Sequence, residues 1–134
     1  MGEGAGPYRS IQGVLFYFRH APPAPHEEQY VENLCKDLGS YHGAELAYVF
    51  GNFVPREWAW TETDRDFAGI VSRYWVNFAA TGDPNGPGLP EWPVFDQETD
   101  SVLYLDKTIE RGPIPNQKYY AFWDAFAAGW KGAK

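Results

Sequence analysis

Cysteine is almost absent from this chain. Cys35 stands alone in 134 residues, so no internal disulfide can form, and this usage leans towards a reducing compartment. Clustered basic charge is missing as well: 11 Lys and Arg against 18 Asp and Glu leave a net charge of −7. Without a Lys/Arg patch to displace counterions from phosphate, nucleic-acid binding is excluded and anionic membrane surfaces are disfavoured. No apolar run is longer than that of residues 14–18, which is far short of the roughly 20 residues of a membrane-spanning helix. The opening Met-Gly-Glu-Gly-Ala-Gly-Pro has neither the basic start nor the apolar segment of a signal peptide. No internal repeat or low-complexity tract is present.

Aromatic residues, in contrast, are abundant. Six Trp, nine Tyr and nine Phe make up 18% of the chain, and a domain this small has too much surface for its volume to bury them all. The composition implies an apolar partner, which is the rest of a larger fold, a second copy of the chain, or a ligand.

Residues 1–12 are Gly-rich and aperiodic and read as a flexible tail, with one domain following from 13 to 134. Residues 13–20 are apolar on both faces, as in a strand buried within the parallel sheet of an α/β protein. Prolines 22, 23 and 25 stop that strand, and residues 26–38 suggest a short surface helix. A second short helix follows His42. With His42 as N-cap, Glu45 falls at the third helical position, where its carboxylate can reach back to a free N–H, and Leu46, Val49 and Phe50 share a face. Gly51 and Asn52 end it.

Thr61 reads as the N-cap of a long amphipathic helix over 62–80, with Asp64 completing a capping box and Phe67, Ile70, Val71, Tyr74, Trp75 and Phe78 as its stripe. Gly82 ends that helix and opens a turn-rich loop. Residues 92–95 are extended, residues 101–105 form a strand expected at a sheet edge, and Asn116 caps a last helix whose aromatic residues again share one face.

His42 is the residue with the clearest chemical potential. A ring projecting from a glycine-flanked loop whose backbone is fixed by a cap suits a general base, although a lone histidine beside an apolar run is more often structural. The alternatives are poor. Cys35, seven residues before His42, is flanked by Glu32 and Asp37, which would raise its thiol pKa. Ser40 is better placed as a loop hydrogen-bonder than as a nucleophile. The spacing of His20, His26 and His42 fits no zinc pattern, so no metal is expected.

The run His-Gly-Ala-Glu-Leu followed by Tyr-Val-Phe-Gly at 42–51 resembles the histidine motif of the type B carboxylesterases, the α/β-hydrolase family of para-nitrobenzyl esterases and cholinesterases. The resemblance continues through Ser-Arg-Tyr-Trp-Val-Asn-Phe-Ala at 72–79, Thr-Gly-Asp-Pro-Asn at 81–85 and Leu-Pro-Glu-Trp-Pro at 89–93. It implies the C-terminal portion of an α/β-hydrolase fold, a carboxylic-ester substrate, no cofactor, and His42 as the base that takes a proton from a serine and returns it to the leaving alcohol. Glu45 matches a family acid, but its spacing suits a helix cap equally well, and the cap is favoured.

The family's triad runs serine, acid, histidine, with the serine in a Gly-x-Ser-x-Gly elbow. The serines here are Ser10, Ser40, Ser72 and Ser101, and none sits in such an elbow. No glycine-rich oxyanion segment precedes the first strand. The expected chain is therefore a segment carrying the base without the nucleophile, acid or oxyanion hole, inactive or very weakly active alone, and packed against the remainder of a hydrolase domain. The alternative is a non-catalytic module that binds a partner or self-associates through its aromatic surface.

Overall fold

Helix formation between residues 61 and 82 organises the chain. In the computed structural model, which describes residues 13–23, 39–54, 58–95 and 100–130, helix α2 spans Glu62–Thr81. It opens at Thr61 with a complete capping box: the Thr61 side chain accepts from the Asp64 N–H, and the Asp64 carboxylate accepts from the Thr61 N–H. Gly82 closes it at φ 80 with its N–H bonded to the Phe78 carbonyl, a left-handed position where a Cβ would be strained. Both ends agree with the sequence reading.

The other elements, in chain order, are β1 (Phe16–Phe18), α1 (Leu46–Val49), β2 (Ser101–Leu105), β3 (Glu110–Pro113) and α3 (Gln117–Gly129). The sheet order is β1-β2-β3, with β1 parallel to β2 and β3 antiparallel to it. Phe67, Ala68, Val71 and Tyr74 of α2 pack with Leu103 and Leu105 of β2, Tyr48 and Val49 of α1, and Trp92 to form the core. Among the described residues no helix is long and apolar enough to cross a membrane.

Several local expectations are corrected. The short helix begins later than expected: Glu45, not His42, occupies the N-cap position, and no side-chain capping bond forms. With α1 only one turn long, the buried residues are Tyr48 and Val49, while Leu46 and Phe50 face outward. The Gly51 ending does hold, because Gly51 lies at φ 60 and the Asn52 N–H reaches the Ala47 carbonyl.

Strand β2 is the middle strand of the described sheet rather than its edge. Strand β1 has the parallel partner expected, yet it is an edge of the described sheet, and Phe16 and Tyr17 remain 39% and 43% exposed. Asn116 adopts a left-handed conformation and makes no side-chain capping bond, and α3 buries none of its residues. The tail (1–12) and the helix expected over 26–38, with Cys35 and His26, lie outside the described residues.

The loop after α2 ties the helix to β1. The Asn85 side chain spans it, accepting from the Trp92 N–H (2.7 Å) and donating to the Trp92 carbonyl (3.0 Å). The Trp92 indole N–H then donates to the Leu15 carbonyl (3.0 Å), and the Tyr74 hydroxyl donates to the Pro90 carbonyl (2.6 Å). Asn77 Nδ2 meets the carbonyls of Pro84 and Asn85 from the helix side. Replacing Asn85 with Ala leaves both polar groups of the buried Trp92 backbone without that partner, so Asn85→Ala should destabilise the chain by about 1–3 kcal/mol. Urea unfolding checks this, and a loss below about 0.5 kcal/mol, the range of ordinary surface changes, contradicts it.

Candidate active site: the His42 loop and a buried carboxylate

Residues 39–45 are the described stretch that leads into α1. Gly39 (φ 55) and Gly43 (φ 84) give it left-handed turns on either side of His42. The turn is closed by hydrogen bonds from the Ala44 N–H to the Tyr41 carbonyl (3.0 Å) and from the Leu46 N–H to the Gly43 carbonyl (3.1 Å). The Ser40 hydroxyl donates to the Phe18 carbonyl at 2.7 Å, which ties the loop to β1. Burial holds the Tyr41 phenol above its usual range. The His42 side chain is exposed and makes no hydrogen bond to the described residues. Glu45 contributes its carbonyl, which accepts from the N–H groups of Tyr48 (3.0 Å) and Val49 (2.9 Å).

Behind this loop lies a polar cluster that sequence reasoning missed. His20, the second residue after β1, is 2% exposed and Asp64 is 5% exposed. The His20 Nε2 lies 2.9 Å from Asp64 Oδ1, and the Tyr48 hydroxyl donates to the same oxygen at 3.0 Å. Asp64 Oδ2 accepts from the Thr61 N–H (2.9 Å) and from the Thr61 hydroxyl (2.6 Å). Burial by itself would raise the Asp64 carboxyl, but the hydrogen bonds from Thr61, His20 and Tyr48 outweigh it and bring its pKa to about 2. The carboxylate is therefore ionised at neutral pH and can only accept, so His20 Nε2 carries the proton of that bond.

His20 Nδ1 makes no hydrogen bond among the described residues and lies 3.5 Å from Asp106 Oδ1. The Tyr48 phenol is pushed far up, first by burial, then by its hydrogen bond to Asp64 and by the charge of that carboxylate, and stays protonated as a donor. Its ring also packs edge-on to the His20 ring, with centroids 4.9 Å apart. The sequence did hold one signal for this cluster: a histidine that closes an apolar strand, if buried, must find a hydrogen-bond partner. Its partner is 44 residues away, and a motif reading does not reach that far. No group of His, Cys, Asp and Glu among the described residues is arranged to hold a metal.

A model of the carboxylesterase family matches residues 11–123, a span that includes the His42 loop, the buried cluster and all of β1 to β3. This chain belongs to the carboxylesterase family. Human cocaine esterase is 39% identical over 120 residues, covering 85% of this chain and 21% of its own length. The rat pyrethroid hydrolase Ces2e is 33% identical over 129 residues, covering 92% of this chain and 23% of its own. Among solved structures, PNB esterase superposes with a TM-score of 0.60 at 23% identity, covering 81% of this chain and 20% of its own, a likeness of fold. The fold is thus a portion of the α/β-hydrolase fold. This carboxylesterase-family chain spans about a fifth of the length of the curated relatives it matches.

The depressed pKa of Asp64 fixes the sign of an acid dependence. The folded value, about 2, lies below the ordinary 3.8, so the stability held in this carboxylate is fully present above pH 4 and is lost as pH falls from about 4 through about 2. Asp64→Asn should lower stability at pH 7 and remove most of this loss. Urea midpoints at pH 6, 4, 3 and 2 check it; parallel pH profiles for the two proteins contradict it.

Proposed function

We propose that this chain supplies the general base, His42, of a serine carboxylesterase site, and that the nucleophile, the orienting acid and the oxyanion donors come from polypeptide outside these 134 residues. The observation that carries this reading is an exposed histidine on a loop closed by its own backbone hydrogen bonds, within a region matching the carboxylesterase family. In the reaction, His42 takes the proton of the serine hydroxyl as that oxygen attacks the ester carbonyl and gives it to the departing alkoxide; in the second half it takes a proton from water and returns it to the serine. Ser40 and Glu45 have supporting roles. Ser40 anchors the loop through its hydroxyl, and Glu45 starts α1 through its carbonyl.

Among the described residues, none of the serines fits the nucleophile's part. Ser40 is spent on the Phe18 carbonyl, Ser72 lies on α2 and Ser101 begins β2. The exposed apolar surface supports the missing polypeptide as partner. One side of β1 carries no strand among the described residues, and a groove of about 290 Å³ between the β1 region and α2, lined by Phe16, Tyr74, Trp75, Phe78 and Trp92, is almost wholly apolar. Pyrethroid hydrolase and cocaine esterase are the names of its relatives; for this chain we propose a carboxylic ester as the substrate class.

Helix α3 favours a second reading, a non-catalytic module that binds a partner or itself. Phe122 and Trp123 are 61% and 60% exposed, and the aromatic ring contacts they make among the described residues lie within α3. Hydrolysis of short-chain nitrophenyl esters separates the two readings. The purified chain, its His42→Ala form and its Cys35→Ser form should all be inactive or nearly so. Mixing with the nucleophile-bearing part of a family relative, lacking the segment matched here, should produce hydrolysis that His42→Ala abolishes and Cys35→Ser leaves intact. A reconstituted activity indifferent to His42, or association without activity, contradicts the proposal and favours the binding module.

A further inference from the structure

We infer that Asp64, with Tyr48 and His20, is a positioning group that holds the His42 loop in place. The inference rests on the reading of His42 as a base, because it explains how a base on an exposed, glycine-flanked loop keeps one location.

The loop is short and locally weak. Two glycines with positive φ flank His42, and glycine loses more conformational freedom on ordering than any other residue. The helix that follows is a single turn of four residues with no side-chain cap, too short to be stable by itself. The position of that helix must come from tertiary bonds, and the structure supplies two anchors, one on each side of His42. On the N-terminal side, Ser40 is tied to the Phe18 carbonyl, two residues before His20. On the C-terminal side, Tyr48 is fully buried and its hydroxyl ends on Asp64 Oδ1.

Both anchors lead to the same carboxylate. His20 donates to Asp64 Oδ1 from the β1 side, and Tyr48 donates to it from the α1 side. The other carboxylate oxygen is fixed by Thr61 at the start of a 20-residue helix, so the reference point is itself rigid. The backbone before and after His42 is thereby measured from one atom of α2, while the His42 ring stays open to the outside. A purely stabilising cluster would couple equally to the rest of the core. A positioning cluster couples most strongly to residues 41–46.

Amide hydrogen exchange on the purified chain, read by NMR, distinguishes these cases. Tyr48→Phe removes one hydroxyl and keeps the ring with its contacts to His20 and Phe67; Asp64→Asn removes the shared acceptor charge. With Tyr48→Phe, exchange at Ala44 and Leu46, whose N–H groups close the turn, should rise about tenfold or more, the scale of one lost buried hydrogen bond. Val71 in α2 and Leu103 in β2 should stay within about twofold, and the His42 ring resonances should shift although nothing touching that ring has changed. Asp64→Asn also lowers global stability and weakens the α2 cap, so with it the rise at Ala44 and Leu46 should exceed the rise at Val71 and Leu103 rather than leave those two unchanged. A uniform rise across loop, α2 and β2, or no rise at Ala44 and Leu46, overturns the inference. The outcome is independent of the ester reading, since loosened loop amides with hydrolysis indifferent to His42 would sink the base alone, and His42-dependent hydrolysis with unchanged amides would sink the positioning role alone.

Discussion

A single buried carboxylate joins three parts of this chain. Asp64 accepts hydrogen bonds from Thr61 in its own capping box, from His20 after β1 and from Tyr48 of α1. An ionised carboxylate out of water is costly unless its lone pairs are met by donors, and here four donors meet them. The same bonds that keep Asp64 charged therefore specify where α1 and the end of β1 must lie relative to α2. Removing any one donor leaves part of the cost in place, which is why the cluster acts as a unit and why its elements, distant in sequence, have one arrangement.

The rest of the fold shows a different economy. The core between α2 and β2 is well buried, but the aromatic residues of α3 and much of β1 are not. A helix of 13 residues with none buried does not owe its place to hydrophobic burial within the described residues, and a strand with apolar side chains on both faces is suited to a sheet that continues beyond it. Both features belong to a chain that spans about a fifth of the length of its relatives.

What could be read from sequence follows from how local each signal is. Helix α2 was legible because its cap, stripe and terminal glycine all lie within it. Strand β2 was legible from its own residues, yet its central place was not, since that depends on β3. Strand β3 was missed because Glu-Arg-Gly-Pro has no alternation and no β-branched residue; it pairs through backbone, and Gly112 is required there because a Cβ would lie 2.6 Å from the Tyr104 ring. The cap expected at His42 failed because Tyr48 and Val49, not Leu46 and Phe50, face the core, so tertiary packing chose the helix start. The exposed loop position of His42 was legible from the glycines around it. His20 and Asp64 were not brought together by any pattern, because their bond exists only once β1 and α2 have packed.

The most direct test of the account is a crystal structure of this chain in complex with the nucleophile-bearing part of a carboxylesterase relative, its serine trapped with a phosphonate ester. The His42 imidazole should lie within about 3 Å of the serine Oγ or of the leaving-group oxygen, with the Ser40 and Tyr48 anchors intact on either side of the loop. A His42 ring turned away from the phosphonate, with another group in the position of the base, would contradict it.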